Sequence, residues 1–344
     1  MRAPAEWQYR QIFLGQQPTT APPANPRQAC DTLLSRWVDG WIDQSRARRW
    51  IDEWFFIRYG EQGYHLRLRL HNADRSAQRD LEGWLDDGLL RFFQQHAGEL
   101  GLERPPQSVD ELYRVGYVRR STYEPEYAKY GGRVGVELAE EHFTVSSATG
   151  VAVLLAEERH GVRRALWALE LINSLVRLYG APLYDQALLL KSNAAYWLSM
   201  VVHNPAQFRV GMEASYQRQR QGLSQRFDAA GLGTLERRHP EVFARWNGHA
   251  RDHLAAVRQA EGQGELRTSL DGYFADQAAR FAVPYLNDRP ISSYLFVPNY
   301  IHLLQNRLGL SAAQEMQLSY LLARWLEEGG GWSVPEYPLI LEPR

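Results

Sequence analysis

Hydrophobic and polar positions alternate most strictly between His65 and His71. Leu66, Leu68 and Leu70 fall on one side of an extended chain, and His65, Arg67, Arg69 and His71 on the other. Just before them, Trp54–Tyr59 reads WFFIRY, an aromatic and apolar run that fits a mostly buried strand. The break Gly60-Glu61-Gln62-Gly63 predicts a hairpin, with a glycine at each end where a short loop needs positive φ. Trp7–Leu14 reads as a further strand, and the Pro-, Thr- and Gln-rich stretch from Gly15 to Pro26 as a loop. Asn25 and Pro26 supply an N-cap and a first-turn proline, and Cys30, Leu33, Leu34, Trp37, Val38 and Trp41 follow at helical spacing. A second helix is predicted from about Ser76 to His96, ended by Pro105-Pro106, and Leu112–Val118 reads as a short strand.

Beyond Tyr123 the pattern changes. A polar, turn-rich segment, YEPEYAKYGG, leads into helical periodicity, which is strong over Val151–Tyr179 and Gln186–Val202. Gln207–Gly231 is a polar helical stretch. Pro240–Ala260 is another helix, with Val242, Phe243, Trp246, His249, Leu254 and Val257 on its apolar side, and Leu266–Ala282 is helical again. Ile291–Val297 reads as turn-like or extended up to Pro298, with a helix starting near Asn299 and ending at Asn306-Arg307-Leu308-Gly309. Ser311 and Gln314 form a capping-box pattern for a last helix over Ala312–Glu328. These elements predict an α+β fold: an N-terminal antiparallel sheet with covering helices over residues 1–120, then a mainly helical lobe over 121–344 that completes a cleft.

Composition narrows the function classes. The net charge of −1 gives no general surface for nucleic acid or an anionic membrane, and no apolar run is long enough to span a bilayer. A single cysteine, Cys30, leaves no internal disulfide, and the N-terminus has no signal-peptide apolar region, so the expected compartment is cytoplasmic. No HExxH, no metal-type carboxylate pair and no phosphate-binding glycine loop is present, so neither a metal nor a nucleotide cofactor is expected. Eleven tryptophans and 18 tyrosines are a high load; some belong to the core, and any surplus on the surface suits a cleft that grips a flat, heteroaromatic or peptide ligand. The polar side of the His65–His71 strand has two readings. It is either a solvated face or a cationic wall that holds a carboxylate, a peptide backbone or a developing enolate.

Three blocks taken together carry a family resemblance: WFFIRY with HLRLRL, YEPEYAKYGG with the following GVELAEEHF, and IHLLQNRLGL. In this order they resemble the glutamate-elimination half of lantibiotic dehydratases and the stand-alone enzymes of thiopeptide biosynthesis. The resemblance implies chemistry on dehydroalanine in ribosomally made peptides. One branch eliminates glutamate from glutamylated Ser or Thr. The other joins two dehydroalanines in a formal aza-[4+2] cycloaddition, and loss of water and of the leader peptide then gives a pyridine-centred macrocycle. For the elimination branch the resemblance points to Arg67, Arg69, Glu126 and His302, with Lys129 standing where an arginine is usual. Lysine lacks the bidentate fork that recognises a carboxylate, which tilts the reading to the cycloaddition branch.

A cycloaddition requires two dehydroalanines held in near-attack geometry, one of them as an iminol, and therefore hydrogen-bond donors and a proton shuttle. The candidates for acid–base work are Tyr300, His302, Ser292, Ser293 and Glu126, and those for substrate binding are Arg67, Arg69, Tyr294, Lys129 and Tyr130. Bland alternatives stand beside them: a turn at Ser292-Ser293, core packing of Tyr300 and His302, a structural ion pair at Glu126. His142, His160, His203 and His239 show no useful spacing and read as ordinary. The expected partner is a modified precursor peptide with its leader. The leader would dock on the first lobe by strand addition or in a groove of Trp7, Trp37, Trp41 and Trp54. Contacts with other enzymes of the pathway fit the same reading, homodimerisation is left open, and a non-catalytic peptide-binding protein of the same fold is the third alternative.

Overall fold

The computed structural model describes residues 7–14, 25–72, 75–180, 182–201, 205–266 and 291–334. They form two compact units, Met1–Pro125 with Ser146–Leu155, and Glu126–Val145 with Ala156–Arg344. Among the described residues no helix is long and apolar enough to cross a membrane.

The first unit is built on an antiparallel sheet in the order β2-β3-β1-β4: β1 Trp7–Phe13, β2 Ile51–Tyr59, β3 His65–Asn72 and β4 Val118–Ser121. The strict alternation in β3 decides which face is buried. Leu66, Leu68 and Leu70 are fully buried against Cys30, Leu33, Leu34, Leu81, Leu85, Leu89 and Phe92 of the covering helices. Each such leucine contributes about 1.5–3 kcal/mol, and a one-residue slip would turn all of them outward, so the register is firmly held. β2 is an edge strand, and Ser147 Oγ accepts the Phe56 N–H at 3.2 Å. That bond covers part of an edge that would otherwise invite further pairing.

The covering helices are α1 (Pro26–Leu33), α2 (Asp39–Ala47) and α3 (Gln78–Gln95). Asn25 caps α1 by accepting the Arg27 N–H at 3.1 Å. Between α1 and α2 the five residues Leu34–Val38 form a π-helical turn, so the helix continues with one residue more than regular α-spacing allows. Trp7, Trp41 and Trp54 are buried, with only Trp37 half-buried, so the proposed tryptophan groove is largely core.

Two expectations for this unit change. Leu112–Val118 is not a strand. A helix, α4, occupies Val109–Val115, because Ser108 Oγ takes the Glu111 N–H at 3.2 Å and Gly116, at φ 88°, ends it. β4 starts only at Val118. In the hairpin loop Gln62 (φ 58°) and Gly63 (φ 103°) take the left-handed region, and Gly60 does not.

The second unit is helical. It contains α5 (Arg133–His160, of which Ser146–Leu155 counts with the first unit), α6 (Arg164–Leu178), α7 (Leu183–Val201), α8 (Pro205–Arg226), the short α9 (Thr234–Arg238), α10 (Pro240–Gly262), α11 (Ile291–Arg307) and α12 (Ala312–Gly330). The single run expected over Val151–Tyr179 is two helices, interrupted where Gly161 turns left-handed at φ 67°. The extended segment expected at Ile291–Val297 is helical, with Pro298 inside α11. An interior proline costs about 3 kcal/mol. Burial of Phe296, Val297, Tyr300, Ile301 and Leu304 on the same helix outweighs it. The helix expected over Leu266–Ala282 lies outside the described residues, apart from Leu266.

The Tyr130-Gly131-Gly132 turn that opens α5 depends on its glycines. Gly131 and Gly132 sit at φ 71° and 106°. Gly135 lies so close under the turn that a Cβ there would stand 1.6 Å from the Tyr130 carbonyl oxygen. Gly135→Ala is expected to destabilise the second unit by about 1–3 kcal/mol through overpacking against backbone. Gly248→Ala on α10, where a Cβ meets nothing within 4 Å, is expected to gain about 0.5–1 kcal/mol. Calorimetric melting of the two variants checks the pair; equal melting temperatures would refute the packing argument.

Candidate active site

The polar side of β3 belongs to a sheet face shared with β1, β2 and β4. Arg69 pairs in register with Tyr9 and Phe55, Arg67 with Gln11 and Ile57, and His65 with Phe13 and Tyr59. Arg69 is buried, its guanidinium centred 4.6, 5.2 and 5.3 Å from the rings of Tyr9, Phe55 and Tyr123. Desolvated cation–π contacts of this kind contribute about 1–2 kcal/mol each. Arg67 is half-buried, lies 3.3 Å over the Tyr59 ring, and donates from Nε to His65 Nε2 at 3.2 Å. Because His65 Nδ1 donates to the Gly63 carbonyl at 2.7 Å, its Nε2 is left as the acceptor.

Burial, with Arg67 and Arg119 nearby, holds the His65 imidazole below its ordinary range and therefore neutral. His71 is tied to Asp52 at 2.6 Å. The expected wall of basic residues thus reduces to two permanent cations in an aromatic setting. Of these, Arg67 has no carboxylate partner among the described residues.

In the second unit, Glu126 starts the turn before α5. Its carbonyl accepts the Lys129 and Tyr130 N–H groups at 3.0 and 3.2 Å, while its exposed carboxylate pairs with Lys129 Nζ at 3.3 Å. Tyr130 is buried and stacks on Phe296, with ring centres 5.6 Å apart and planes 10° apart. Phe296 stacks on Tyr300 at 5.9 Å and 6°, and Tyr300 on His142 at 3.8 Å and 25°. A continuous aromatic column therefore runs from the Tyr-Gly-Gly turn through α11 to α5.

At its far end the Tyr300 hydroxyl meets His253 Nε2 at 2.8 Å. His249, one turn before His253 on α10, has its ring centre 5.4 Å from that of His142. Burial pushes the Tyr300 hydroxyl well above its ordinary value, with Glu141 adding to it. Burial also pushes His142 well below the histidine range, His249 to about 4 and His253 to about 3. Among the described residues neither ring nitrogen of His142 has a hydrogen-bond partner. Nor do any three or more His, Cys, Asp or Glu side chains converge there as metal ligands; these rings stack instead.

His302 faces elsewhere. Two residues from Tyr300 on one helix is about 200° of rotation. Its Nδ1 bonds Glu315 Oε2 at 2.8 Å, and its ring lies against Trp197 at 4.6 Å and 34°. Ser292, Ser293 and Tyr294 fall in the first turns of α11, and their side chains lie outside the described residues. A cleft of about 770 Å³ lined by Lys191, Arg209, Glu213, Tyr320 and Arg324 contains none of the expected residues. Its floor is occupied by internal bonds, Arg324 to Glu213 at 2.9 Å and Lys191 to Glu327 at 2.9 Å.

The structure thus joins Tyr130 to Tyr300 through Phe296, joins Glu126 to Lys129, and separates His302 from Tyr300. Sequence reasoning missed His142, His253, Trp197 and Glu315. The i, i+4 spacing of His249 and His253 was legible in α10, but His142 arrives from a helix more than a hundred positions earlier.

A family model described as "Lantibiotic biosynthesis dehydratase C-term" matches residues 24–326. Among solved structures, TsrL is similar at 19% identity over 95% of this chain and 96% of its own, with a TM-score of 0.64. A chain titled "Pyridine synthase, TbtD, from thiomuracin biosynthesis" is similar at 16% identity over 95% and 99%, with a TM-score of 0.65. The tRNA-dependent lantibiotic dehydratase MibB from Microbispora sp. 107891 is similar at 21% identity over 96% of this chain but 29% of its own, with a TM-score of 0.56. No curated protein matches.

Proposed function

This chain belongs to the lantibiotic biosynthesis dehydratase C-terminal family, and from that membership we propose that it is a thiopeptide pyridine synthase. Its reaction is a formal aza-[4+2] cycloaddition between two dehydroalanines of an azole-bearing precursor peptide, followed by loss of water and of the leader. The observation that carries this reading over glutamate elimination is the state of Lys129. It occupies the position where the elimination branch uses an arginine, and it is already tied to Glu126 at 3.3 Å. A point-charge ammonium bound to a neighbouring carboxylate lacks the fork needed to grip a second one. The likeness to a titled pyridine synthase along nearly the whole of both chains supports the same branch.

Within this reading His302 supplies the imidazole for amide–iminol exchange, while Tyr300, expected beside it, is fully buried with its hydroxyl on His253 and holds α11 in place. Tyr130 and Glu126 shape the turn that borders the column, and Arg67 and Arg69 bind peptide carbonyls. Ser292, Ser293 and Tyr294 are further candidates for contact with the peptide.

The alternative is a glutamate-eliminating lyase, and one observation favours it. Arg67 is a half-buried cation without a carboxylate among the described residues, and a glutamyl group would supply one. Mass spectrometry of two leader-bearing peptides decides. One carries two dehydroalanines and thiazoles, the other a glutamylated serine. The cycloaddition predicts a product lacking water and the leader from the first peptide, and no change in the second. Loss of glutamate from the second overturns it. Binding of both with conversion of neither would identify a non-catalytic peptide-binding protein. Arg67→Ala is expected to slow the cycloaddition by about tenfold, the value of one lost hydrogen bond in the transition state, at about 1.4 kcal/mol. Under the lyase reading the same variant would abolish turnover.

A further inference from the structure

Glu315 stands in the first turn of α12, where the helix dipole favours a carboxylate, but it is buried there. It lies four residues after the N-cap Ser311, and its side chain is only 5% exposed. A carboxylate there could have reached water from another face of the helix. Instead it points inward, and burial pushes its pKa above the ordinary range, with only the His302 contact opposing this. Its hydrogen bond is to His302 Nδ1 at 2.8 Å. No other charged group among the described residues acts on it.

His302 is the complementary half. Its side chain is 32% exposed, so the ring spans the boundary between the protein interior and the surface. Trp197 covers the ring at 4.6 Å. The Nε2 atom makes no hydrogen bond among the described residues. A carboxylate on one imidazole nitrogen fixes the tautomer and ring plane, and leaves the other nitrogen as the proton acceptor.

We propose that Glu315 is a positioning residue for His302, holding Nδ1–H inward so that Nε2 is the atom that exchanges protons with the peptide substrate. The substrate assignment rests on the pyridine-synthase reading. In that setting Nε2 takes the proton from a backbone amide nitrogen and the resulting imidazolium returns a proton to the amide oxygen. The N–H bond breaks and an O–H bond forms, C=O becomes C–OH, C–N becomes C=N, and the imidazole ends neutral. No further reactant is required. Tyr300 and His253 form a separate hydrogen-bonded pair on the other side of α11 and take no part in this contact.

The test uses the full chain labelled with nitrogen-15 in histidine, with the His302 signals assigned by their loss in His302→Gln. In the native chain the nitrogen shifts should report Nδ1–H. In Glu315→Gln, which keeps the volume but loses the charge and can turn an N–H as well as an oxygen toward the ring, signals of an Nε2–H tautomer should appear beside the native ones. Turnover of the bis-dehydroalanine peptide should fall by about a hundredfold in kcat with KM little changed. Glu315→Asp should recover part of both effects. An Nε2–H tautomer in the native chain, or an unchanged tautomer in Glu315→Gln, overturns the proposal. Folded Glu315→Gln protein with the native kcat overturns it too. If the tautomer behaves as expected but no peptide is converted, the dyad stands and the pyridine-synthase reading is what fails. Should Glu315→Gln not fold, the tautomer and kcat are read in Glu315→Asp, where no change from the native values would overturn the proposal.

Discussion

Glu170→Ala is expected to destabilise the second unit by about 3–5 kcal/mol, because it breaks a buried ionic contact from one side. Glu170 is fully buried on α6. Its Oε2 accepts the N–H groups of Leu235 and Glu236 at 2.7 and 3.0 Å, and its Oε1 accepts Arg226 at 2.7 Å. One carboxylate thus caps α9 from outside and neutralises the end of α8. α9, Thr234–Arg238, is far too short to persist on its own hydrogen bonds, so a negative charge at its N-terminus decides whether it forms. Gly233 belongs to the same arrangement, since a Cβ there would stand 2.0 Å from Glu170 Oε2. Alanine leaves two inward N–H groups and a partly buried guanidinium unpaired. Glu170→Gln keeps an acceptor and should lose about half as much. Urea unfolding gives the stability, and hydrogen exchange at Leu235 and Glu236 gives the locality. Unchanged protection of those amides in Glu170→Ala would dismiss the capping role.

Acidification from pH 7 to 5.5 is expected to remove about 4 kcal/mol from the same unit, about 1.3 for each of three histidines. His142, His249 and His253 are held neutral by burial, the latter two down to about 4 and about 3. Above the ordinary histidine value of 6.5 these rings are neutral whether the chain is folded or not, and they contribute no slope. Below it the unfolded chain takes up protons that the folded unit refuses, so stability falls as pH falls, down through the folded values. Other groups act elsewhere or weakly. Arg324 holds Glu213 at about 2, so its stabilising contribution is lost only below the ordinary 4.5. Glu315, raised by burial, works in the opposite direction as a single group. Urea midpoints at the two pH values measure the slope, and a flat response would mean that the trio is hydrated. His253→Gln should remove about a third of the slope while keeping a partner for the Tyr300 hydroxyl.

Much of the fold was legible because local chemistry and long-range packing agree. The β3 alternation, the Asn25-Pro26 start and the Ser311–Gln314 box all appear as read. Reading failed where one residue set satisfies two patterns. Leu112, Val115 and Val118 suit a strand, but Ser108 and Gly116 cap a helix before the strand can begin. Ile291–Val297 looked extended because of Pro298, and burial of the following residues carries the helix through it. Of the candidate site residues, Arg67 and Arg69 stood out from the strand alternation, and Tyr130 came from the family resemblance. Their surroundings were not visible, because a cation–π cage or a four-ring column depends on partners far apart in sequence.

The π-helical turn at Leu34–Val38 bears on how this chain is matched to its relatives. One surplus residue is absorbed there, so helical faces before and after it follow different counts. A relative without the wide turn will be one codon shorter in this stretch, and the gap belongs inside Leu34–Val38 rather than in a neighbouring loop. Loss of that codon here would close the wide turn to regular α-spacing and leave Trp41 on the core. Natural variation in helix length at this point should therefore arrive alone, with Trp41 and its neighbours unchanged.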